Sequence, residues 1–220
     1  LHDWPDRYIH TTSDTPDRMD PTKLKRAAFI GAASGYFLAS MGPGDVPGVK
    51  RVIEAGAFRR AARVHERLDG LPPDEAENLR EFSRFYEQSV AASVDRFVPP
   101  PRHSAGGMPV RLSAPQGSGD SALVFARNPE LRGPMSVFGY DYLIDKLGAG
   151  RAGALKLMGY SGLRGSGGEY AYEVLNLAGS GRRAIDIRND VSAIYGPVPI
   201  EYVVEFLLAL ETIGVVRQVR

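Results

Sequence analysis

The sequence predicts an α+β fold, mainly helical, and three observations carry that prediction. Apolar residues recur at helical spacing through three long runs between residues 21 and 98. Clusters of Gly and Pro punctuate those runs at 42–44, 70–73 and 99–101. The remainder then breaks into short pieces of strand and helix character that close at Val215–Val219.

The first helix is expected from Pro21 to about Ser40. Asp20 caps it by accepting from its free backbone N–H groups, and Pro21 suits the first helical position, where a missing N–H is harmless. Leu24, Ala28, Gly31, Gly35 and Leu38 form one stripe, which Phe29, Tyr36 and Phe37 widen. Three of the five stripe residues are Ala or Gly, a face suited to close approach by a sheet or another helix. With no partner, part of this surface should be exposed and sticky.

Met41-Gly42-Pro43-Gly44 stops the first helix. A second should run from Val49 to Leu68, with Ala57, Ala61, Val64 and Leu68 on one face. Arg51, Arg59, Arg60, Arg63 and Arg67 crowd its other surface, but Glu54, Glu66 and Asp69 are interleaved, so the run reads as a solvated face. After Gly70-Leu71-Pro72-Pro73, Asp74 should cap a third helix reaching about Val98. Its stripe of Leu79, Phe82, Tyr86, Val90 and Val94 should pair with the second helix as an antiparallel hairpin.

Pro99-Pro100-Pro101 ends that helix, and Arg102 to Gly119 reads as a linker. Val110 to Leu112 and Leu123 to Ala126 are short strand candidates. A second unit starts near Gly133, with a short helix over Tyr140 to Leu147 and a glycine-rich surface turn over Gly159 to Gly168. That turn lacks the preceding strand and the Lys-Ser/Thr of a phosphate loop. Tyr172 to Leu177 reads as a strand, Gly179 to Arg182 as a tight turn, and Ala184 to Tyr195 and Ile200 to Ile213 as helices. Strand, helix, turn, helix, strand is similar to a small winged-helix domain.

The winged-helix reading does not imply DNA binding. Groove readout needs Arg, Lys, Asn or Gln on the second helix and cations for phosphate. That helix carries Glu201, Glu205 and Glu211 and no Lys or Arg. Val203, Leu207 and Leu210 form one apolar row, and Val204 and Leu208 a second beside it. One row should fill the domain's own core, and the second should cover the hairpin, another domain or a second copy of the chain, so self-association is one expected use of it.

Composition excludes other classes. The chain has 220 residues, 43% of them hydrophobic and 24% charged, with 27 Lys plus Arg against 26 Asp plus Glu. A formal charge of +1 gives no overall pull toward nucleic acid or anionic membrane. There is no cysteine, which excludes disulfides and thiolate metal sites while leaving the compartment open. No apolar run approaches the roughly 20 residues needed to span a bilayer.

The most chemically suggestive stretch is Trp4-Pro5-Asp6-Arg7-Tyr8-Ile9-His10-Thr11-Thr12-Ser13-Asp14-Thr15-Pro16-Asp17, ahead of Asp20. His10 sits in a polar loop between a short extended piece and a capped helix, a place where rigidly held ligands occur in α/β enzymes. On chemistry alone a single histidine is an ordinary surface residue, because a zinc site takes three or four protein ligands.

The pattern Tyr8-Ile9-His10-Thr11, Asp14-Thr15-Pro16-Asp17 and Asp20 resembles the last active-site segment of the co-catalytic di-zinc exopeptidases, metallopeptidase family 28. This family includes bacterial leucyl aminopeptidases and glutamate carboxypeptidase. The resemblance covers about 40 residues. It implies that His10 is the final zinc ligand, and that Asp14 and Thr15 lie in the turn behind it, where a carboxylate orients the ligand or its loop. It also implies a hydrolase acting on peptides with two zinc ions, whose other ligands and base lie upstream of this segment. Leu1 stands only nine residues before His10, so the chain is expected to be the C-terminal portion of a longer protein and to bind zinc weakly by itself; its compartment stays open, with export of the complete form one option. The organisation that follows is 1–42 as the end of a zinc peptidase domain, 43–98 as a helical hairpin, 99–132 as a linker and 133–220 as a winged-helix-like domain. The expected partners are a peptide substrate and the missing peptidase portion, with neither nucleic acid nor membrane. The alternative is a non-catalytic winged-helix module that binds a protein partner or DNA.

Overall fold

The computed structural model describes residues 8–99, 109, 111, 117–131, 133, 135–137 and 140–219. Trp4-Pro5-Asp6 and most of the segment 102–116, including Val110 and Leu112 of the expected strand, lie outside the described residues, and Arg111 is not in a strand. Helix dominates and the sheets are small, so the chain is α+β and mainly helical. In chain order the helices are α1 (Pro21–Ser40), α2 (Val46–Leu68), α3 (Pro73–Ala92), α4 (Tyr142–Leu147), α5 (Ala149–Gly153), α6 (Gly167–Leu177), α7 (Ala184–Tyr195) and α8 (Ile200–Thr212). The strands are β1 (Val124–Arg127), β2 (Ser136–Val137), β3 (Tyr140–Asp141), β4 (Arg182–Arg183) and β5 (Val216–Val219).

Contacts divide the chain into two compact units. The first takes in the described residues up to Ala57 and those from Ser89 to residue 99. Its α1 begins where expected, because the Asp20 carboxylate accepts from the N–H groups of Thr22 (2.8 Å) and Lys23 (3.3 Å) and Pro21 follows it. It ends at Ser40, whose hydroxyl turns back to donate to the Tyr36 carbonyl (2.8 Å). No residue of α1 is buried. Met41 and Val94 are the buried apolar side chains of this unit.

The second unit takes in Phe58–Gln88 and the described residues from Pro109 onward. In it the C-terminal part of α2 runs antiparallel to the N-terminal part of α3. Arg60 forks onto Glu87 with two hydrogen bonds of 2.7 Å, and such bidentate pairing fixes orientation as well as adding energy. Helix α3 starts at Pro73, so Asp74 lies in its first turn and not before it.

The core of this unit is built by α6, α7 and α8 against a three-stranded antiparallel sheet of order β4-β1-β5. Phe125 of β1 is fully buried among Tyr170, Val174, Ile187, Val203, Leu207 and Leu210. Strand β1 lies in the stretch read from sequence as linker, yet it takes the central place, pairing Val124 with Arg183 on one side and Val219 on the other.

The stretch Tyr172 to Leu177, expected as a strand, is the body of α6. A capping box starts that helix: the Glu169 carboxylate accepts from the Ser166 N–H (2.8 Å) and from the Ser166 hydroxyl. The glycine-rich stretch before it is shaped by packing. A Cβ on Gly162 would enter the Tyr170 ring, and one on Gly167 would strike the backbone of Leu157 and Met158. These glycines are close approaches to packed neighbours, where the sequence reading had a surface turn.

Helix α8 corrects a second expectation. Val203, Leu207 and Leu210 are fully buried, Val204 is 7% exposed, and Leu208 packs half-buried on the same core. Both apolar rows therefore serve the unit's own interior, because β1 and α6 supply a second wall that the sequence reading lacked. No described helix is long and apolar enough by itself to cross a membrane.

Candidate functional site

The turn carrying His10 is tied by its own backbone and hydroxyls. Thr11 donates to the Tyr8 carbonyl through both its N–H (3.0 Å) and its hydroxyl (2.6 Å). The same hydroxyl accepts from the Ser13 N–H (3.2 Å), and the Asp14 N–H reaches the Thr11 carbonyl (3.1 Å). Arg18 stacks over the Tyr8 ring at 4.5 Å, closing the loop from the far side. Within it His10 adopts φ 62°, the one non-glycine residue with positive φ among the described residues. The left-handed region is uncommon for a residue with a Cβ, although histidine enters it more readily than most.

His10 is exposed, as are Thr12 and Asp14. The Thr15 hydroxyl donates to the Ser13 carbonyl (3.5 Å), and no hydrogen bond joins Asp14 or Thr15 to His10 among the described residues. No group of three His, Asp or Glu side chains converges among the described residues. The turn offers one imidazole, which does not by itself fit a zinc site.

The second unit holds a charged constellation that sequence reasoning missed. Asp190 of α7 is 5% exposed. One of its oxygens pairs with Arg111, and the other takes Arg182 at 2.7 Å. Arg111 also donates to the Asn78 side-chain oxygen (2.5 Å), and the Asn78 amide donates to the Asn189 carbonyl (2.8 Å). On the next turn Arg188 pairs with buried Glu75 of α3 and donates to the Val198 carbonyl. Arg183 forks onto Asp186 at 2.7 and 2.9 Å.

These side chains line an open cavity of about 1100 Å³ between the start of α3, Arg111 and the N-terminal half of α7. Burial pushes the guanidinium values of Arg111 and Arg182 below their ordinary range, and for Arg111 the neighbouring positive charge of Arg182 acts in the same direction. The site is thus a network of ion pairs and hydrogen bonds that ties α3 and residue 111 to α7. The only sequence signal was a dense alternation of Arg, Asp and Asn over 182–190, between the core positions Ala184, Ile187 and Val191.

The face of α8 expected to repel phosphate is engaged inside the unit. Glu205 accepts from the Lys156 N–H (2.8 Å), and Glu211 accepts from the backbone (3.1 Å) and side-chain (2.7 Å) nitrogens of Gln218.

No family model, curated protein or solved structure matches the chain.

Proposed function

We propose that the chain is the C-terminal portion of a zinc-dependent exopeptidase, a hydrolase of the family 28 kind, in which His10 supplies the last zinc ligand. The observation that carries this reading is α1, which follows the His10 turn directly. Phe29 is 71% exposed, Tyr36 77% and Ile30 50%. Among the described residues, no neighbouring atom lies within 4 Å of where a Cβ on Gly31 or Gly35 would stand. A 20-residue helix that spends two glycines on an open face loses helix propensity without return. The loss makes sense when a sheet packs closely on that face, as the peptidase resemblance implies. The left-handed His10 in a self-bonded turn fits the same account, since strained backbone gathers at ligand sites.

The zinc ions, when bound in the complete enzyme, supply Lewis-acid polarisation of the scissile carbonyl and an activated water. This chain's contribution would be the His10 imidazole, carried on a turn tied by its own backbone and by the Thr11 hydroxyl. The test is substitution of His10 by Ala in the complete protein, read by zinc content and by peptide hydrolysis on substrates free at either terminus. Loss of both supports the assignment, and retention of both rejects it.

A second reading is favoured by the separate core of the second unit. The described residues of 119–219 fold around their own interior with an open groove lined by charged and apolar side chains beside it, which suits a winged-helix-like module for a protein partner. Helix α8, buried on five positions and free of Lys and Arg, is poorly suited to a DNA groove.

A further inference from the structure

The arginines of α2 were read as a solvated face, yet three of them line a cavity. Arg60, Arg63 and Arg67 meet Arg164 around a space of about 490 Å³ between α2 and α3, within the range of small-molecule sites. Leu79 and Phe82 form its apolar wall. Glu66 and Glu87 also line it, and Glu87 is already neutralised by the Arg60 fork. Three guanidiniums therefore face one remaining carboxylate.

Arg67 is anchored: one of its nitrogens donates to the Ala193 (2.5 Å) and Ile194 (3.2 Å) carbonyls at the C-terminal end of α7. That end carries the negative pole of the helix, which holds the cation in place. A guanidinium has five N–H donors, so others stay available to the cavity. Burial pushes the Arg67 value below its ordinary range, and the charge of Arg164 pushes it further. Arg63 and Arg164 are exposed and form no ion pair among the described residues.

Converging cations of this kind are relieved by an anion. We propose that the cavity binds a small amphipathic oxyanion, a carboxylate or phosphate on an apolar body, with Arg67 and Arg164 clamping the charged group and Leu79 and Phe82 taking the apolar part. Arginine forks match either anion bidentately. Two probes distinguish the sources: hydrocinnamate and phenyl phosphate, titrated calorimetrically into the full chain, with neutral hydrocinnamide and inorganic phosphate as controls.

The expected result is a Kd of about 1 mM or tighter for at least one aromatic anion, with both controls about tenfold weaker. The tighter of the two anions names the headgroup. Arg164→Gln should weaken that anion about tenfold while leaving the circular dichroism and thermal midpoint unchanged, because Arg164 is exposed. Arg63→Gln serves as an independent second variant. The proposal is overturned if neither anion binds, if the neutral amide binds equally well, or if both variants keep the wild-type Kd.

Discussion

Replacing the buried Asp190 by Asn should destabilise the second unit strongly. Asp190 has a side chain 7% exposed, between Arg111 at 13% and Arg182 at 26%. Folding has already removed most water from all three. Without the carboxylate, two partly buried guanidiniums face each other with only the neighbouring Glu81 and Asp186 charges to offset them. Removing one partner of a buried pair costs about 3–5 kcal/mol. The partial exposure of Arg182 lets water relieve some of this, which places the expectation at about 3 kcal/mol, the low end of that range. Because the chain has two units, global unfolding need not be two-state. Native-state hydrogen exchange of the α7 amides gives the loss locally. A triple replacement with apolar residues, Asp190→Leu with Arg111→Met and Arg182→Met, removes the unpaired charge and should recover most of the loss. A loss below about 1 kcal/mol in Asp190→Asn, the level of an exposed pair, would refute this reasoning.

Two further outcomes follow from the same unit. Tyr170 is fully buried and donates to the Gly196 carbonyl (3.1 Å), and burial, reinforced by Tyr160 and Tyr195, raises its value from 10 to about 12. A raised folded value means that folding holds the neutral phenol, so this contribution is fully present below about pH 10 and is lost as pH rises toward about 12. Phenolate absorbance should show a late-titrating tyrosine that is missing from Tyr170→Phe, and a difference curve centred near the ordinary value would contradict it. Random duplex DNA titrated into the chain near physiological salt should not bind at micromolar concentration. Binding that tight, weakening steeply with salt, would show phosphate contacts and favour a DNA-binding module.

Helix α1 was legible because its signals are local. Asp20, Pro21 and Gly42 act within one turn of its ends, and α7 and α8 were equally readable between Gly181, Gly196 and Gly214. The six residues Tyr172 to Leu177 were not, because a short apolar run fits both periods. The deciding signal was the Ser166–Glu169 capping box, which the surrounding glycines masked. Central strand β1 was readable as a strand, but not as the middle of the sheet, because its partners lie more than 50 residues away. The Asp190 network escaped for the same reason: Asn78, Arg111 and Arg182 meet only through the tertiary fold. For His10 the sequence supplied a resemblance and the fold supplied a tied turn.

The central claim is that His10 is a zinc ligand, and zinc stoichiometry in the complete protein tests it most directly. Elemental analysis of the purified protein, wild type against His10→Ala, should show the variant one zinc poorer, with peptidase activity lost and the circular dichroism unchanged. His10 is exposed, so its truncation should leave the fold intact and the unchanged circular dichroism separates the loss from a folding defect. A variant that keeps the wild-type zinc content and activity would contradict the account.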